Sequence, residues 1–380
     1  MKSPQPDSKS IVHHVTIGTQ AALKEEVPRN LRLLVVRENW PGNNGLSLLS
    51  AFVRAGVDAQ SIAEPDYVPL MWKHLAGRLL RRAVRPVAVR EFNDALIEAC
   101  ENPRPNLFVA VKGTFIQAET LSQMRQKGIV LYLLYPDVSM FAHGPYLPRA
   151  IPKYDWVFTT KSFGPKDLQE RLNVRNCSFM PPAFDPEVHH PRRVTSALLD
   201  TFGCDVAFIG AWSPKKQKIL EALVQRRPQL KLRVWGNSWS RLTKESCLRP
   251  FVAFRQVLGI DYASAVSCAR INLGLLSELV PGASSGDLIT TRTFEIPACG
   301  GLLLHERTTD LLQIFKEDES CVCFEGIDEL VRKIDDLLSN EQRRQAIAAR
   351  GREVVASAHS WDHRARAMLD HYWQNQPRQT

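Results

Sequence analysis

The sequence lacks any apolar run near the ~20 residues that a membrane helix needs. Its longest apolar stretches, around Leu107–Val111 and Ile129–Tyr135, have the length of strands. The first residues, MKSPQPDSKS, also lack the basic and then apolar pattern of a secretory signal. These two absences argue against membrane insertion and secretion, and they predict a cytoplasmic protein.

Metal-binding patterns are missing as well. The eight cysteines form no CxxC pair. Cys321 and Cys323 would share one side of a strand, but no partner ligands accompany them, so reduced structural thiols are the preferred interpretation. The sequence therefore predicts no metal site and no bound cofactor.

Basic residues are in excess, with 49 Lys and Arg against 40 Asp and Glu and a formal charge of +9. This charge indicates an anionic partner without identifying it. Nucleic acid is disfavoured, because no module interleaves basic and aromatic residues. The segment Arg78–Arg90 reads as the charged outer face of an amphipathic helix, with peripheral contact at the inner membrane face as the alternative. We expect Pro86 to break or kink this helix.

A length of 380 residues suits two domains. Continuous apolar segments such as LRLLVV, NLFVAVKG, IVLYLLY and DVAFIGAW alternate with segments of helical spacing, which is typical of parallel sheets covered on both faces. The predicted fold is α/β, with two Rossmann-like domains facing a central cleft. The expected division is a flexible N-terminus (1–29), a first domain (30–185), a linker (186–200), a second domain (201–358) and a final helix (359–380) that packs back on the first domain.

Ligands of such sheets bind beyond the carboxyl ends of the strands, which directs attention to GAWSPKKQ, WGNSWSR and TTRTFEIPACGG in the second half. The candidate nucleotide-binding residues there are Gly210, Trp212, Lys215, Lys216, Gly236, Asn237, Trp239, Arg292, Thr293 and Glu295.

Each segment has a functional and a structural interpretation. Gly210 admits close backbone approach, and the next helix offers N–H groups and two lysines to a diphosphate, or the segment is a tight turn. Trp239 stacks on a base or packs on the protein. Arg292 would face phosphates with its forked donors. Pro297 cannot lie deep inside a helix, so a helix here must start only shortly before it. Glu295 then falls in the first turn, where it accepts ribose hydroxyls or is favoured by the dipole alone.

The first half offers a second set of candidates. Asp137 follows IVLYLLY and would act as a general base or orient an acceptor, and His143 is the nearest histidine. The first loop and the strand end at VAV supply the acceptor-side candidates Gly42, Asn43, Gly45 and Lys112, whose glycines could equally serve only the turn.

The segment FEIPACGG, preceded by TTR and followed by LLLHERTTDLLQIF, resembles the C-terminal signature of the CgeB-like (spore protein) glycosyltransferases. DVAFIGAW, YASAVSCARINLGLL and RRQAIAARGREVV follow in the expected order, and PNLFVAVKG and YDWVFTTK in the first half are also similar to this group. The resemblance spans roughly residues 30–372.

The resemblance implies the GT-B fold and transfer of a hexosyl unit from a nucleotide-sugar, with a UDP- or GDP-sugar expected and retention slightly favoured. It places the ribose on Glu295. Asp287 stands where related retaining enzymes carry a glutamate, and it would contact the donor sugar as a catalytic residue. No Asp-x-Asp pair occurs, which agrees with metal-independent transfer. The acceptor is left open among glycan, lipid-linked sugar, protein and small molecule. A nucleotide-sugar epimerase and a non-catalytic GT-B scaffold remain the alternatives.

Overall fold

The computed structural model describes residues 31–68 and 75–375, so the predicted flexible N-terminus lies outside the described residues. It contains two parallel sheets, one in each half of the chain. This is the predicted α/β class.

The first sheet has six strands in the order β2-β1-β3-β4-β5-β6. The strands are β1 (Arg32–Arg37), β2 (Asp58–Ala63), β3 (Leu107–Val111), β4 (Val130–Tyr135), β5 (Trp156–Thr159) and β6 (Cys177–Phe179). The helices between them are α1 (Asn44–Arg54), α2 (Glu64–Tyr67), α3 (Leu75–Glu98), α4 (Ala118–Gln126), α5 (Tyr146–Ala150) and α6 (Gly164–Leu172).

The second sheet has five strands in the order β11-β10-β9-β7-β8. The strands are β7 (Cys204–Ile209), β8 (Leu232–Trp235), β9 (Ala269–Gly274), β10 (Leu303–Glu306) and β11 (Val322–Phe324). The associated helices are α7 (Ser196–Phe202), α8 (Pro214–Arg226), α9 (Ile260–Cys268), α10 (Arg292–Ala298), α11 (Thr309–Ile314), α12 (Gly326–Ser339), α13 (Glu341–Ala358) and α14 (Trp361–Gln374).

Alternate residues of the central strands enter two different apolar layers, because successive side chains of a strand point to opposite faces. In β1, Leu34 and Val36 join one core cluster, and Leu33 and Val35 join the other. All five residues of β3 are buried. Such two-sided burial is what the continuous apolar runs predict.

Three elements differ from the sequence-based expectation. Strand β2, with the sequence DAQSIA, has no apolar run to reveal it, because it lies at the sheet edge and is only partly buried. Helix α3 is not broken at Pro86, whose side chain is exposed. Val84, an apolar residue of the same helix, is 43% exposed and so does not pack on the core. Helix α7 begins within the predicted linker.

The chain passes between the two domains twice, and the two crossings are bonded to each other. The N–H of Phe184 donates to the carbonyl of His359 at 3.2 Å, and that of Trp361 donates to the carbonyl of Phe184 at 2.9 Å. The buried guanidinium of Arg364 donates to the carbonyl of Pro181 at 2.8 Å.

Helix α14 packs on the first domain. Trp361, Met368 and Leu369 share a core cluster with Leu48 and Phe52 of α1. An amphipathic helix at the end of the second domain thereby completes the outer layer of the first.

Candidate functional site

The carboxyl ends of the two sheets face each other across a gap that one segment bridges. We call residues 275–291, which connect β9 to α10, the bridging loop. The carbonyl of Pro281 in this loop accepts a hydrogen bond from Ser139 Oγ at 2.8 Å. The N–H of Ser284 donates to Asp167 Oδ2 at 2.9 Å. A loop of the second domain therefore contacts the end of the first sheet where ligands of such sheets bind.

An ion pair links the bridging loop to the first domain. Lys161 Nζ lies 2.5 Å from Asp287 Oδ1, and the two side chains are only 8% and 9% exposed. The carboxylate expected to meet the donor sugar is thus paired with a cation of the other domain. Sequence reasoning did not single out Lys161, which follows β5 and has no local motif.

Lys216 lies buried near the first turn of α8, with 3% exposure. Its Nζ donates to Ser277 Oγ at 3.0 Å and to the carbonyl of Ala211 at 3.4 Å. Burial and the nearby charge of Arg292 lower the pKa of Lys216 to about 8. Lys216 is therefore a desolvated cation beside a second cation.

Arg292 opens α10 and points back towards the end of β7. Its Nη2 donates to the carbonyl of Leu275 at 3.3 Å, and its Nε is buried without a hydrogen-bond partner. The guanidinium lies so close that a Cβ added to Gly210 would be 3.4 Å from its Cζ. Within the described residues, the hydrogen bonds of the Lys216 and Arg292 side chains go to hydroxyl and carbonyl oxygens, and the guanidinium of Arg292 also lies 5.9 Å from the ring centroid of Phe208. Two close cations with an orphaned donor form a place for a bound anion.

Two glycines let the loops after β7 and β8 touch. Gly236 has φ +140°, and a Cβ there would lie 2.0 Å from the carbonyl oxygen of Gly210. Trp239 is 1% exposed, and its Nε1 donates to the same oxygen at 2.9 Å. The hypothesis of a base stacked on Trp239 is therefore wrong, because the ring packs in the core. The carbonyl of the exposed Asn237 accepts the N–H of Trp212 at 2.9 Å, which joins the two loops again.

The first turn of α8 already holds a carboxylate. Glu278 Oε1 accepts the N–H of Lys215 at 2.7 Å. Burial acts to raise the pKa of Glu278, but hydrogen bonds from the Lys215 N–H and from Ser213 outweigh it and hold that pKa below its ordinary value. Lys215 Nζ lies 2.5 Å from Glu306 Oε2, so its charge is neutralised. Among the described residues Lys216 and Arg292, unlike Lys215, form no ion pair, although the charges of Asp287, Glu278 and Glu306 act to raise the pKa of Lys216.

Glu295 lies in the first turn of α10, as the position of Pro297 predicts. Its side chain is 14% exposed, and Oε1 is 3.8 Å from Nε2 of His189. Because Nδ1 of His189 accepts the N–H of Asp185 at 3.0 Å, the ring proton is on Nε2 and faces Glu295. The buried side chain of Tyr262 lies close to the carboxylate of Glu295, and burial together with that negative charge raises the pKa of Tyr262. His189 comes from the linker, where no sequence signal marked it.

Thr293 does not reach a ligand. It is fully buried, and its Oγ1 accepts the N–H of Thr290 at 3.0 Å. Nδ1 of His305 lies 2.6 Å from the carbonyl of Glu306 and must donate to it, so Nε2 accepts from Thr293 Oγ1 at 3.1 Å. Burial lowers the pKa of His305 to about 4. The inclusion of Thr293 among the nucleotide-binding residues is therefore wrong.

Asp137 and His143 meet at the end of β4. Asp137 Oδ2 lies 2.6 Å from His143 Nε2 and 3.1 Å from Lys112 Nζ. Burial acts to raise the pKa of Asp137, but the hydrogen bond from His143 and the charge of Lys112 outweigh it and hold the pKa well below its ordinary value. In this arrangement Asp137 is ionised and a weak proton acceptor.

The first loop serves the fold rather than a ligand. Asn43 is fully buried and caps α1, because its Oδ1 accepts the N–H of Leu46 at 2.8 Å. A Cβ on Gly45 would lie 2.6 Å from Cβ of Arg37, so the glycine lets α1 approach β1. Gly42 has φ +79° and makes the turn. The acceptor-side interpretation is wrong for the side chain of Asn43, which is buried and bonded, whereas for Gly45 it stays a prediction.

In residues 31–68 and 75–375, no three His, Cys, Asp or Glu side chains converge as metal ligands would. None of the helices in these same ranges combines the length and the apolar character needed to cross a bilayer.

The chain is similar to several solved structures over most of its length. The sucrose-phosphate synthase of Thermosynechococcus elongatus superposes with a TM-score of 0.65 at 15% identity, covering 90% of this chain and 98% of that one. HepE of Anabaena, solved with UDP-glucose, gives 0.59 at 12%, covering 91% and 100%. A Listeria monocytogenes protein described as a UDP-N-acetylglucosamine 2-epimerase gives 0.52 at 10%, covering 91% and 98%.

Comparison by sequence gives a match in the second half of the chain. No curated protein matches the chain. The pattern of one family, described as glycosyl transferase-like, matches residues 215–370, from the cationic start of α8 through most of α14. The chain therefore has the GT-B fold, and its second domain carries the sequence pattern of a glycosyl transferase-like family.

Proposed function

We propose that the chain is a glycosyltransferase that transfers a hexosyl unit from a nucleotide-sugar to a hydroxyl acceptor without a metal ion. The observation that carries this proposal is a pair of close cations at the mouth of the second sheet, Lys216 and Arg292, neither of which forms an ion pair among the described residues. Gly210 brings backbone to the same point. A diphosphate would supply the oxygens that the orphaned Nε of Arg292 lacks.

The nucleotide would continue from the diphosphate towards α10. Glu295 is the carboxylate of its first turn, with 14% of the side chain exposed, and the Nε2–H of His189 faces it. A carboxylate can accept hydrogen bonds from both hydroxyls of a ribose. HepE, the neighbour solved with UDP-glucose, supports a UDP-sugar as the first donor to test, followed by a GDP-sugar.

The reaction would exchange one bond at the anomeric carbon. The acceptor oxygen bonds to that carbon, the bond to the β-phosphate oxygen breaks, and the acceptor proton leaves with the nucleoside diphosphate. Lys216 and Arg292 stabilise the charge that develops on the departing diphosphate. The low pKa of Asp137 makes it a poor general base, which supports retention over inversion with Asp137 as base.

Titration calorimetry with UDP and UDP-glucose tests the site. Arg292→Ala and Glu295→Ala should each weaken binding roughly 10- to 100-fold, because each removes hydrogen bonds to a charged group. The matched controls Arg332→Ala and Glu353→Ala remove exposed charges of the same domain and should leave affinity unchanged. Unaltered affinity in both site variants, with intact folding, would rule out this nucleotide site.

An epimerase is the second candidate, since the Listeria neighbour shares the fold. An epimerase converts a nucleotide-sugar without an acceptor and without releasing free nucleotide. Transfer, in contrast, releases nucleoside diphosphate at a rate that depends on the acceptor. A scaffold without chemistry would bind the nucleotide-sugar but would not even hydrolyse it slowly.

A further inference from the structure

A cavity of about 140 Å³ lies in the first domain at the carboxyl ends of β1 and β3. The chain runs from β1 to β2 on one side and then to β3 on the other, so the strand order reverses here. Such reversal points are where open α/β sheets bind ligands. An engineered protein cavity of ~150 Å³ holds a benzene molecule, so this volume suits one six-membered ring.

The cavity wall includes a buried carboxyl group with little support. Glu64 opens α2 and is 7% exposed. It accepts a long hydrogen bond from the N–H of Phe115 at 3.4 Å and has a further contact with the backbone N–H of Thr114. Burial raises the pKa of Glu64 to about 7, against which the charge of Lys112 acts only in part. A carboxyl group in this state can donate to or accept from a hydroxyl of a ligand.

Two arginines on the wall face neutral groups. Arg37 donates from Nε to Ser61 Oγ at 3.0 Å and from Nη1 to the carbonyl of Glu38 at 3.0 Å. Arg85 lies with its Cζ 4.7 Å from the ring centroid of Phe115. No carboxylate pairs with either guanidinium within the described residues, so both keep an uncompensated positive charge.

The other cation of the wall is compensated. Lys112 Nζ lies 3.6 Å from Glu38 Oε1 and 3.1 Å from Asp137 Oδ2. Lys112 is thus paired with two carboxylates, Glu38 of the wall and Asp137 beside it, which leaves Arg37 and Arg85 against the buried carboxyl group of Glu64. The balance favours an anionic ligand.

One residue of the cavity wall belongs to a segment that contacts the second domain. His143 belongs to its wall and pairs with Asp137. Between these residues, Ser139 donates to the carbonyl of Pro281 in the bridging loop at 2.8 Å. The segment that contributes His143 to the wall therefore contacts the bridging loop, which carries Glu278 and adjoins the proposed nucleotide site.

We propose that this cavity is the acceptor subsite, and that the acceptor is a single-ring sugar or similar polyol bearing an anionic substituent. Glu64 contacts an acceptor hydroxyl, and Arg37 and Arg85 contact the anionic group. This inference rests on the proposed glycosyl transfer, which it deepens by naming the acceptor class. Phosphate and carboxylate share the required chemistry.

Titration calorimetry on the full chain saturated with UDP tests the subsite, with glucose 6-phosphate, glucuronate and glucose as probes. At least one charged probe should bind tenfold or more tightly than glucose, because charge-assisted hydrogen bonds to arginine are the strong ones. Comparing the two charged probes separates a phosphate from a carboxylate requirement. Arg37→Gln and Arg85→Gln should each reduce this preference at least fivefold, and Glu64→Gln should weaken all binding probes.

Arg90→Gln is the matched control, since Arg90 lies exposed on the same helix as Arg85 and should have no effect. Equal affinity for all three probes, binding of none of them, or an equal loss in Arg90→Gln would overturn the subsite. UDP affinity is measured alongside in every variant. Failure of UDP to bind the parent chain, with charged probes still bound in its absence, would instead overturn the proposed transfer.

Discussion

Raising the pH from 7 to 9 should weaken the binding of a nucleotide-sugar about tenfold, with Lys216 as the cause. In the free protein the pKa of Lys216 is lowered from 10.5 to about 8 by burial and by Arg292. A bound diphosphate would stabilise the charged amine and return its pKa towards the ordinary value. At pH 9 about one tenth of the free protein carries the charged amine that the diphosphate needs, a difference of ~1.4 kcal/mol.

The direction of the proton transfer gives the sharper assay. At pH 7 the amine is charged before and after binding, so little proton exchange accompanies the complex. At pH 9 binding should take up close to one proton, and the calorimetric enthalpy should then differ between buffers of different ionisation enthalpy. Lys216→Gln should bind weakly with no such uptake. Lys215→Gln should keep the uptake, because Lys215 is paired with Glu306. Equal affinity of the parent chain at pH 7 and pH 9, or the same uptake in Lys216→Gln, would refute this reasoning.

Two further predictions concern buried charges. The pKa of Glu64 is raised from 4.5 to about 7, so its stabilising effect is complete below pH 4.5 and is lost as the pH rises through 7. Urea unfolding should show Glu64→Gln gaining up to about 3 kcal/mol on the parent chain between pH 5 and pH 8, and an equal pH dependence of both would contradict this. Lys161→Met leaves Asp287 unpaired in the gap, at a cost of about 3–5 kcal/mol if the gap stays closed. Small-angle scattering should therefore detect a larger radius of gyration in Lys161→Met, whereas the double variant with Asp287→Leu should match the parent; unchanged scattering in the single variant would contradict the assignment.

The sheets were predictable because most of their strands are continuous apolar runs that can be recognised from a few neighbouring residues. LFVAV and VLYLLY are buried on both faces, and no amphipathic helix has that pattern. Strand β2 could not be predicted from the sequence, because an edge strand is only partly buried and needs no apolar run. The break expected as one outcome at Pro86 does not occur, because a proline costs a helix one hydrogen bond and some strain, which the neighbouring turns can absorb.

The site was predictable only where one turn of chain decides the outcome. Pro297 limits the length of its helix, which fixes Glu295 in the first turn. Trp239 could not be placed in this way, since its bond to the carbonyl of Gly210 spans 29 positions of sequence. The pairing of Lys161 with Asp287 spans 126 positions and two domains. Contacts of that range depend on how whole layers meet, which no local spacing encodes.

The paired crossings at Phe184 and His359 limit how the two lobes can move. Both covalent connections run side by side, and the guanidinium of Arg364 ties the first connection to the start of the final helix. Relative motion of the two domains is then a rotation about the line along which the two connections run. The bridging loop contacts the first domain at residues outside these crossings, namely Ser139, Lys161 and Asp167. These few contacts therefore hold the two domains together against that rotation.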